Sequence, residues 1–412
     1  MTSSQHDSRP PVVPSPPAAS ATSTGSPTST RRARLRAVLR ERGLDGLLVT
    51  DLVNVRYLTG FTGSNGALLV MADDDADDGD LVPDDAGSSG PDSASGVADG
   101  DRTRFCTDGR YTTQSAAEVP DLPRLIGRPV DTALLRTTAA GVIGFEADAV
   151  SVSAHGALRR VVDDRGGDVE LTATSGLVEE LRAVKDPGEI DALLRACGVA
   201  DQAFAELIEA GGIRPGRTER EVGLDLDQRM RVLGASDPSF ETIVATGANS
   251  AIPHHRPTAA VLGAGDLVKF DFGATVDGYH SDMTRTVVLG EPADWQREIH
   301  HLVLAAQRAG REACVVGANG ADIDQASRGV IIDAGYGDRF THGLGHGVGL
   351  QVHEAPSLAA GSASIMAADM CVTVEPGVYL PGRGGVRIED SGVVGPDGYL
   401  VLTLTARELR IL

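Results

Sequence analysis

The stretch KFDFGATVDGYHSDMTRT, Lys269 to Thr286, constrains the fold more than any other in this chain. An Asp-Gly pair between alternating apolar runs is a strong signal for a two-residue hairpin. With Asp277-Gly278 at the tip, Val276 faces Tyr279 and Gly273 faces Asp282. Asp271 lies two residues from Gly273, on the same sheet face. The two aspartates become diagonal neighbours with Cα atoms ~7–8 Å apart. Carboxylates sheltered among β-branched and apolar residues are costly without partners. Two of them side by side point to one or two cations.

Further ligand-type residues follow downstream. THGLGHGVGLQVHEAP carries His342, His346 and His353, three of the chain's ten histidines, among glycines that let backbone approach closely. VTVEPGVYLPG sets Glu375 between a strand-like run and a Pro-Gly turn. GGVRIEDSGVV sets Glu389 in an apolar strand, with Arg387 on the same face. Two Asp, two Glu and one His suit hard to borderline divalent ions. Four carboxylates nearly balance two such ions, and two-metal hydrolases hold their ions ~3.5–4 Å apart.

The rest of the chain frames this site. At 412 residues the length favours two domains, and 41% apolar residues support a sizeable core. Of the net charge of −21, about half comes from Asp73–Arg102, which holds eleven Asp and one Arg. That segment, within 72–102, is expected to be a disordered acidic insertion between two strands. The remaining acidity excludes a basic nucleic-acid-binding face. Residues 1–30 are rich in Ser, Thr, Pro and Ala and are expected to form a disordered tail. They contain no apolar signal-peptide core, and no run approaches a membrane span. The four cysteines are scattered, as fits a reducing compartment, so a cytoplasmic location without membrane contact is expected.

Residues 31–170 alternate strand and helix, as in an α/β domain. RRARLRAVLRERG is expected to be an amphipathic helix with a solvated basic face. Capping boxes at Asp186/Glu189 and Thr218/Glu221 open two helices, and helical stretches recur near 294–309 and 322–334. The α+β domain from 175 to 412 carries nearly all the polar chemistry.

The Asp pair, HGLGHGVG, VEPGVY and VRIED, in this order, resemble the ligand motifs of the pita-bread-fold metallopeptidases, the family of methionine aminopeptidase, prolidase and Xaa-Pro aminopeptidase. YLTGFTGSNGALLV and TDGRYTTQ resemble the creatinase-like N-terminal domain of the proline-specific branch. The acidic insertion is not a feature of that family pattern. The resemblance implies an N-terminal α/β creatinase-like domain followed by a C-terminal pita-bread catalytic domain. It implies two divalent ions, manganese first with cobalt or zinc as alternatives, on Asp271, Asp282, His346, Glu375 and Glu389. Asp282 and Glu389 would bridge both ions. Glu375 would also shuttle the proton, and His254 and His353 would assist catalysis. His342 and Arg387 would contact substrate. The expected activity is cleavage of N-terminal Xaa-Pro bonds in short proline-containing peptides by a metal-bridging hydroxide. Xaa-Pro aminopeptidase comes first, with Xaa-Pro dipeptidase as the alternative. A metal-free binding protein and a creatinase-type amidinohydrolase remain behind both. The resemblance also implies a homo-oligomer, dimer or tetramer.

Overall fold

The structure, a computed structural model, describes residues 26–72, 101–138, 140–166 and 168–412. Residues 1–25 of the expected tail and 73–100 of the expected insertion lie outside the described residues. No helix among the described residues is long and apolar enough to cross a membrane.

Helix α1 (Pro27–Glu41) starts inside the expected tail. Ser26 caps the Ser29 amide and Pro27 occupies the first turn, both standard helix starts. Its basic face is not solvated as expected. Arg32 is buried and donates to Asp101 at 2.8 Å and Asp121 at 2.7 Å, and Arg31 donates to Asp186. Asp101, assigned by composition to the acidic insertion, is therefore a buried structural partner. A count of charges along the chain cannot reveal a pairing made 69 residues away.

Six strands form the first sheet: β1 (Gly46–Val49), β2 (Gly66–Met71), β3 (Arg104–Thr107), β4 (Arg124–Ile126), β5 (Gly141–Glu146) and β6 (Val169–Thr174). Their order is β4-β3-β2-β1-β5-β6. The strands flanking the insertion, β2 and β3, pair antiparallel, while β1, β5 and β6 run parallel. Helices α2 (Leu52–Thr59), α3 (Thr112–Glu118), α4 (Val130–Leu135) and α5 (Val152–Asp164) accompany this sheet. β6 carries the α/β unit slightly past residue 170.

Helices α6 (Leu177–Ala183), α7 (Pro187–Glu209) and α8 (Glu219–Val232) lead into the second half. Both expected capping boxes form. The strands there are β7 (Asp237–Pro238), β8 (Ile243–Thr246), β9 (Leu267–Phe272), β10 (Ala274–Val276), β11 (Tyr279–His280) and β12 (Met283–Val288). Helices α9 (Asp294–Ala313) and α10 (Gly320–Asp333) pack on each other. Then come β13 (Gly345–Gly347), β14 (Glu354–Leu358), β15 (Cys371–Val374), β16 (Gly377–Leu380), β17 (Gly384–Arg387), β18 (Asp390–Gly395), β19 (Gly398–Val401) and β20 (Arg410–Ile411). One sheet has the order β20-β12-β9-β8 and another β14-β13-β15-β18-β19.

The halves share a core. Leu35, Val55 and Tyr57 of the first pack in one cluster with Leu193, Tyr279, Leu350 and Cys371 of the second. Arg182 and Lys185, both buried, clamp Glu354 at 2.6 and 2.7 Å. The segment joining the domains is thereby tied to the residue following His353.

Candidate metal centre

The hairpin tip turns as its sequence demands. Asp277 and Gly278 adopt φ of 49° and 77°, and Val276 pairs with Tyr279. The register continues without a slip into β9 and β12, where Phe272 pairs with Met283 and Asp271 with Thr284. Gly273 lets the strands close up, since a Cβ there would sit 1.8 Å from the Ser281 carbonyl oxygen. Asp271 and Asp282 therefore face one side as diagonal neighbours.

The other residues arrive from the second sheet. β15 and β18 pair up to Val374 and Asp390, so Glu375 and Glu389 sit side by side where that ladder ends. The Glu389 amide donates to the Thr284 carbonyl, and the Thr284 hydroxyl donates to Glu389 Oε2 at 2.7 Å. These bonds tie β12 to the second sheet. His346, on β13, is held by its amide on Thr373 Oγ1. Ligand-type atoms of Asp282, His346 and Glu389 all lie within 4.8 Å of one another. His346 Nε2 is 3.4 Å from Glu375 Oε1 and 3.6 Å from Asp282 Oδ2.

The electrostatics of this cluster call for a cation. Burial, and then the charges of Glu389, Asp271 and Glu375, push the Asp282 carboxyl well above its usual range. Burial, with Glu375 and Asp271, does the same to Glu389. Burial also opposes the charge of Glu375, but the hydrogen bond and charge of His346, with His342 and Arg387, hold it below its usual range. Asp271 Oδ1 is buried with no hydrogen-bond partner. His346 Nδ1–H donates to the Gly347 carbonyl, so Nε2 is aimed at the carboxylates. Lone pairs from acids and imidazole converging on one place are stable only with a proton or a cation between them. The donor set fits divalent ions.

Two expected substrate contacts are placed elsewhere. Arg387 is fully buried beneath Asp271. Its Nη2 pairs with Asp271 Oδ2, Nε donates to Thr284 Oγ1, and Nη1 donates to Tyr379 Oη and the Pro253 carbonyl. All three nitrogens already have partners within the protein, and Arg387 does not line the cavity. His342 does not line the cavity either. Its Nδ1–H donates to the Gly343 carbonyl, and its Nε2 accepts from Tyr379 Oη at 2.8 Å. Arg387 and His342 meet at the Tyr379 hydroxyl, outside the residues that line the cavity, a placement that strand periodicity cannot distinguish from one in its wall.

His254 and His353 do line the cavity, of about 260 Å³, together with Asp271, Asp282, His346, Glu375 and Glu389. The His353 ring meets His346 edge-on with centroids 4.4 Å apart. Burial, and then His346, lower the His353 pKa.

Sequence reasoning missed the residues that hold these groups. Lys269, two residues before Asp271 in β9, is fully buried and donates to the Ile252 and Pro253 carbonyls at 2.6 and 3.0 Å, just before His254. Its place on the face of Asp271 was a usable signal. Glu219 is fully buried and accepts from the Thr246 and Thr258 amides, the Thr258 hydroxyl, Asn249 and His255. It pins both ends of the His254 loop, and nothing in its local sequence announces this.

A buried cluster of four carboxylates and one imidazole, opening on a cavity in an α+β domain behind an α/β domain, defines a metallohydrolase of two-domain type. Residues 191–396 match the model of metallopeptidase family M24, and residues 31–80 and 89–184 that of the creatinase/prolidase N-terminal domain. The chain belongs to metallopeptidase family M24, whose members work with divalent metal ions. It is similar to an uncharacterized peptidase of Bacillus subtilis, with 36% identity over 92% of this chain and 99% of that one. Among solved structures it resembles an Xaa-Pro dipeptidase from Bacillus anthracis (TM-score 0.82, 37% identity, 93% of this chain and 100% of that one). It also resembles an X-Pro aminopeptidase from Thermotoga maritima (TM-score 0.76, 32% identity, 92% and 99%).

Proposed function

We propose that the chain hydrolyses the peptide bond before proline at the N-terminus of short peptides. Asp271, Asp282, His346, Glu375 and Glu389 would hold two divalent ions, manganese foremost. The observation that carries this reading is the convergence of the five side chains on one cavity, with mutual repulsion that a bound cation would relieve. The full set also argues against a metal-free binding protein or a creatinase-type enzyme. When bound, the ions supply Lewis acidity and a water that is nucleophilic at neutral pH.

The chain's own groups do the rest. Glu375, held ionised beside His346, accepts the proton of the attacking water and delivers it to the leaving nitrogen. His353, its pKa lowered by burial and by His346, donates its N–H to the developing oxyanion or the substrate backbone, and His254, which also lines the cavity, does the same. Arg387 and His342 position Asp271 and Tyr379 and do not touch substrate. The catalytic unit begins near residue 175, after the α/β unit. The four free, buried cysteines support a reducing, cytoplasmic setting. The homo-oligomer is part of the same proposal, and light scattering of the purified chain checks it.

The aminopeptidase form is the first reading, and the dipeptidase form is the second. The somewhat greater likeness to the Bacillus anthracis protein, named Xaa-Pro dipeptidase, favours the latter. Assay of metal-loaded protein on Xaa-Pro and Xaa-Pro-Yaa substrates tests both. Cleavage of neither would refute the proposal, and a strong preference for the dipeptide would reverse the order.

A further inference from the structure

We infer that the ion pair of Arg256 and Glu241 at the cavity mouth is a specificity determinant that sorts substrates by charge just beyond the proline. The inference rests on the Xaa-Pro reading and deepens it. The metal-type acids line the cavity together with two segments, one carrying Phe240, Glu241 and Ile243 and the other His254, His255 and Arg256. Arg256 Nε lies 3.1 Å from Glu241 Oε2, with the side chains 83% and 62% exposed. Among the described residues lining the cavity, Arg256 is the one guanidinium, and no Lys lines it. His255 is already committed to Glu219 at 2.8 Å.

A second hollow, of about 270 Å³, shares Glu241 with the cavity and is lined besides by Arg220, Asp227, Thr242, Pro257, Gly223 and the exposed Leu224, so its charged lining beyond Glu241 is one Arg and one Asp. Glu241 borders both spaces. On the Xaa-Pro reading the scissile bond sits at the acids and the chain leaves by the exposed side of the cavity, so a peptide that continues past proline would present a neutral amide near this pair, with the second hollow beyond it. A dipeptide ends there in a carboxylate. That carboxylate has to draw Arg256 away from Glu241 and then lie near the like charge of Glu241. An exposed pair is weak, so the selection is graded rather than absolute. It favours the continuing chain, as an aminopeptidase requires.

The test compares kcat/KM of metal-loaded enzyme on a dipeptide Xaa-Pro free acid and on its C-terminal amide. Glu241→Gln releases Arg256 and is expected to raise the acid-to-amide ratio about three- to five-fold. Arg256→Gln is expected to lower the ratio by a similar factor. Both shifts should shrink in high salt, since the groups are exposed. Ratios that stay at the wild-type value in both variants, or move in the same direction, overturn the inference while leaving the Xaa-Pro reading intact. A wild type that cleaves neither compound overturns that reading and this inference with it.

Discussion

Asp271 and Asp282 are the same residue type on the same hairpin, yet their surroundings differ. Asp271 pairs directly with the buried guanidinium of Arg387, whereas Asp282 faces the charges of Glu389, Asp271 and Glu375, which the charge of Arg387 and the nearby His346 offset only in part. Replacing Asp282 by Ala is expected to lower kcat/KM at least about 10³-fold and to cut bound metal, as measured by elemental analysis. Arg387→Met leaves Asp271 buried without its partner. It is expected to destabilise the fold by about 3–5 kcal/mol in denaturant titrations. A substrate-binding Arg387 would instead raise KM and leave stability unchanged. The ligand-type residues were legible because acids and histidines are rare in apolar strands and glycine-rich turns. The role of Arg387 was not, because one strand face serves a floor and a substrate wall equally well.

Among elements, the loop between β8 and β9 that carries His254 is tied down by Glu219, Lys269 and Arg387. Glu219→Ala strands several buried donors and is expected to destabilise by about 1–3 kcal/mol. A loss of roughly 10-fold in kcat should accompany it, as for other residues that orient a site through their neighbours. In the first domain, Glu146 at the end of β5 accepts from the Thr50 and Asp51 amides and from Asn54 ahead of and within α2. Burial raises its pKa to about 7. The folded form then holds a proton that the unfolded form releases at ordinary carboxylate pH. This contribution is complete below about pH 4.5 and disappears as pH rises through about 7, a swing of about 3 kcal/mol. Glu146→Gln is expected to remove that slope from thermal unfolding followed between pH 5 and 8.

For the whole molecule, a bound cation and the fold stabilise each other. Ions that occupy the site only in the folded state add about 3 kcal/mol at a hundredfold excess over Kd. A chelator is therefore expected to abolish activity and lower Tm, and added Mn²⁺ to restore both. The tie from Arg182 and Lys185 to Glu354 makes the domain linker part of the frame around His353. Local chemistry determined the hairpin register, the capping boxes, the helix near α9 and the set of metal-type residues, because turn geometry, period-two alternation and capping act over a few residues. Only the tertiary structure decided that Asp101 is a buried anchor, that Arg387 and His342 join at Tyr379 outside the cavity lining, and that Glu219 and Lys269 hold the His254 loop. Each of those roles is a pairing between distant segments. A buried charge finds its partner through the packing of the chain, which no local pattern encodes.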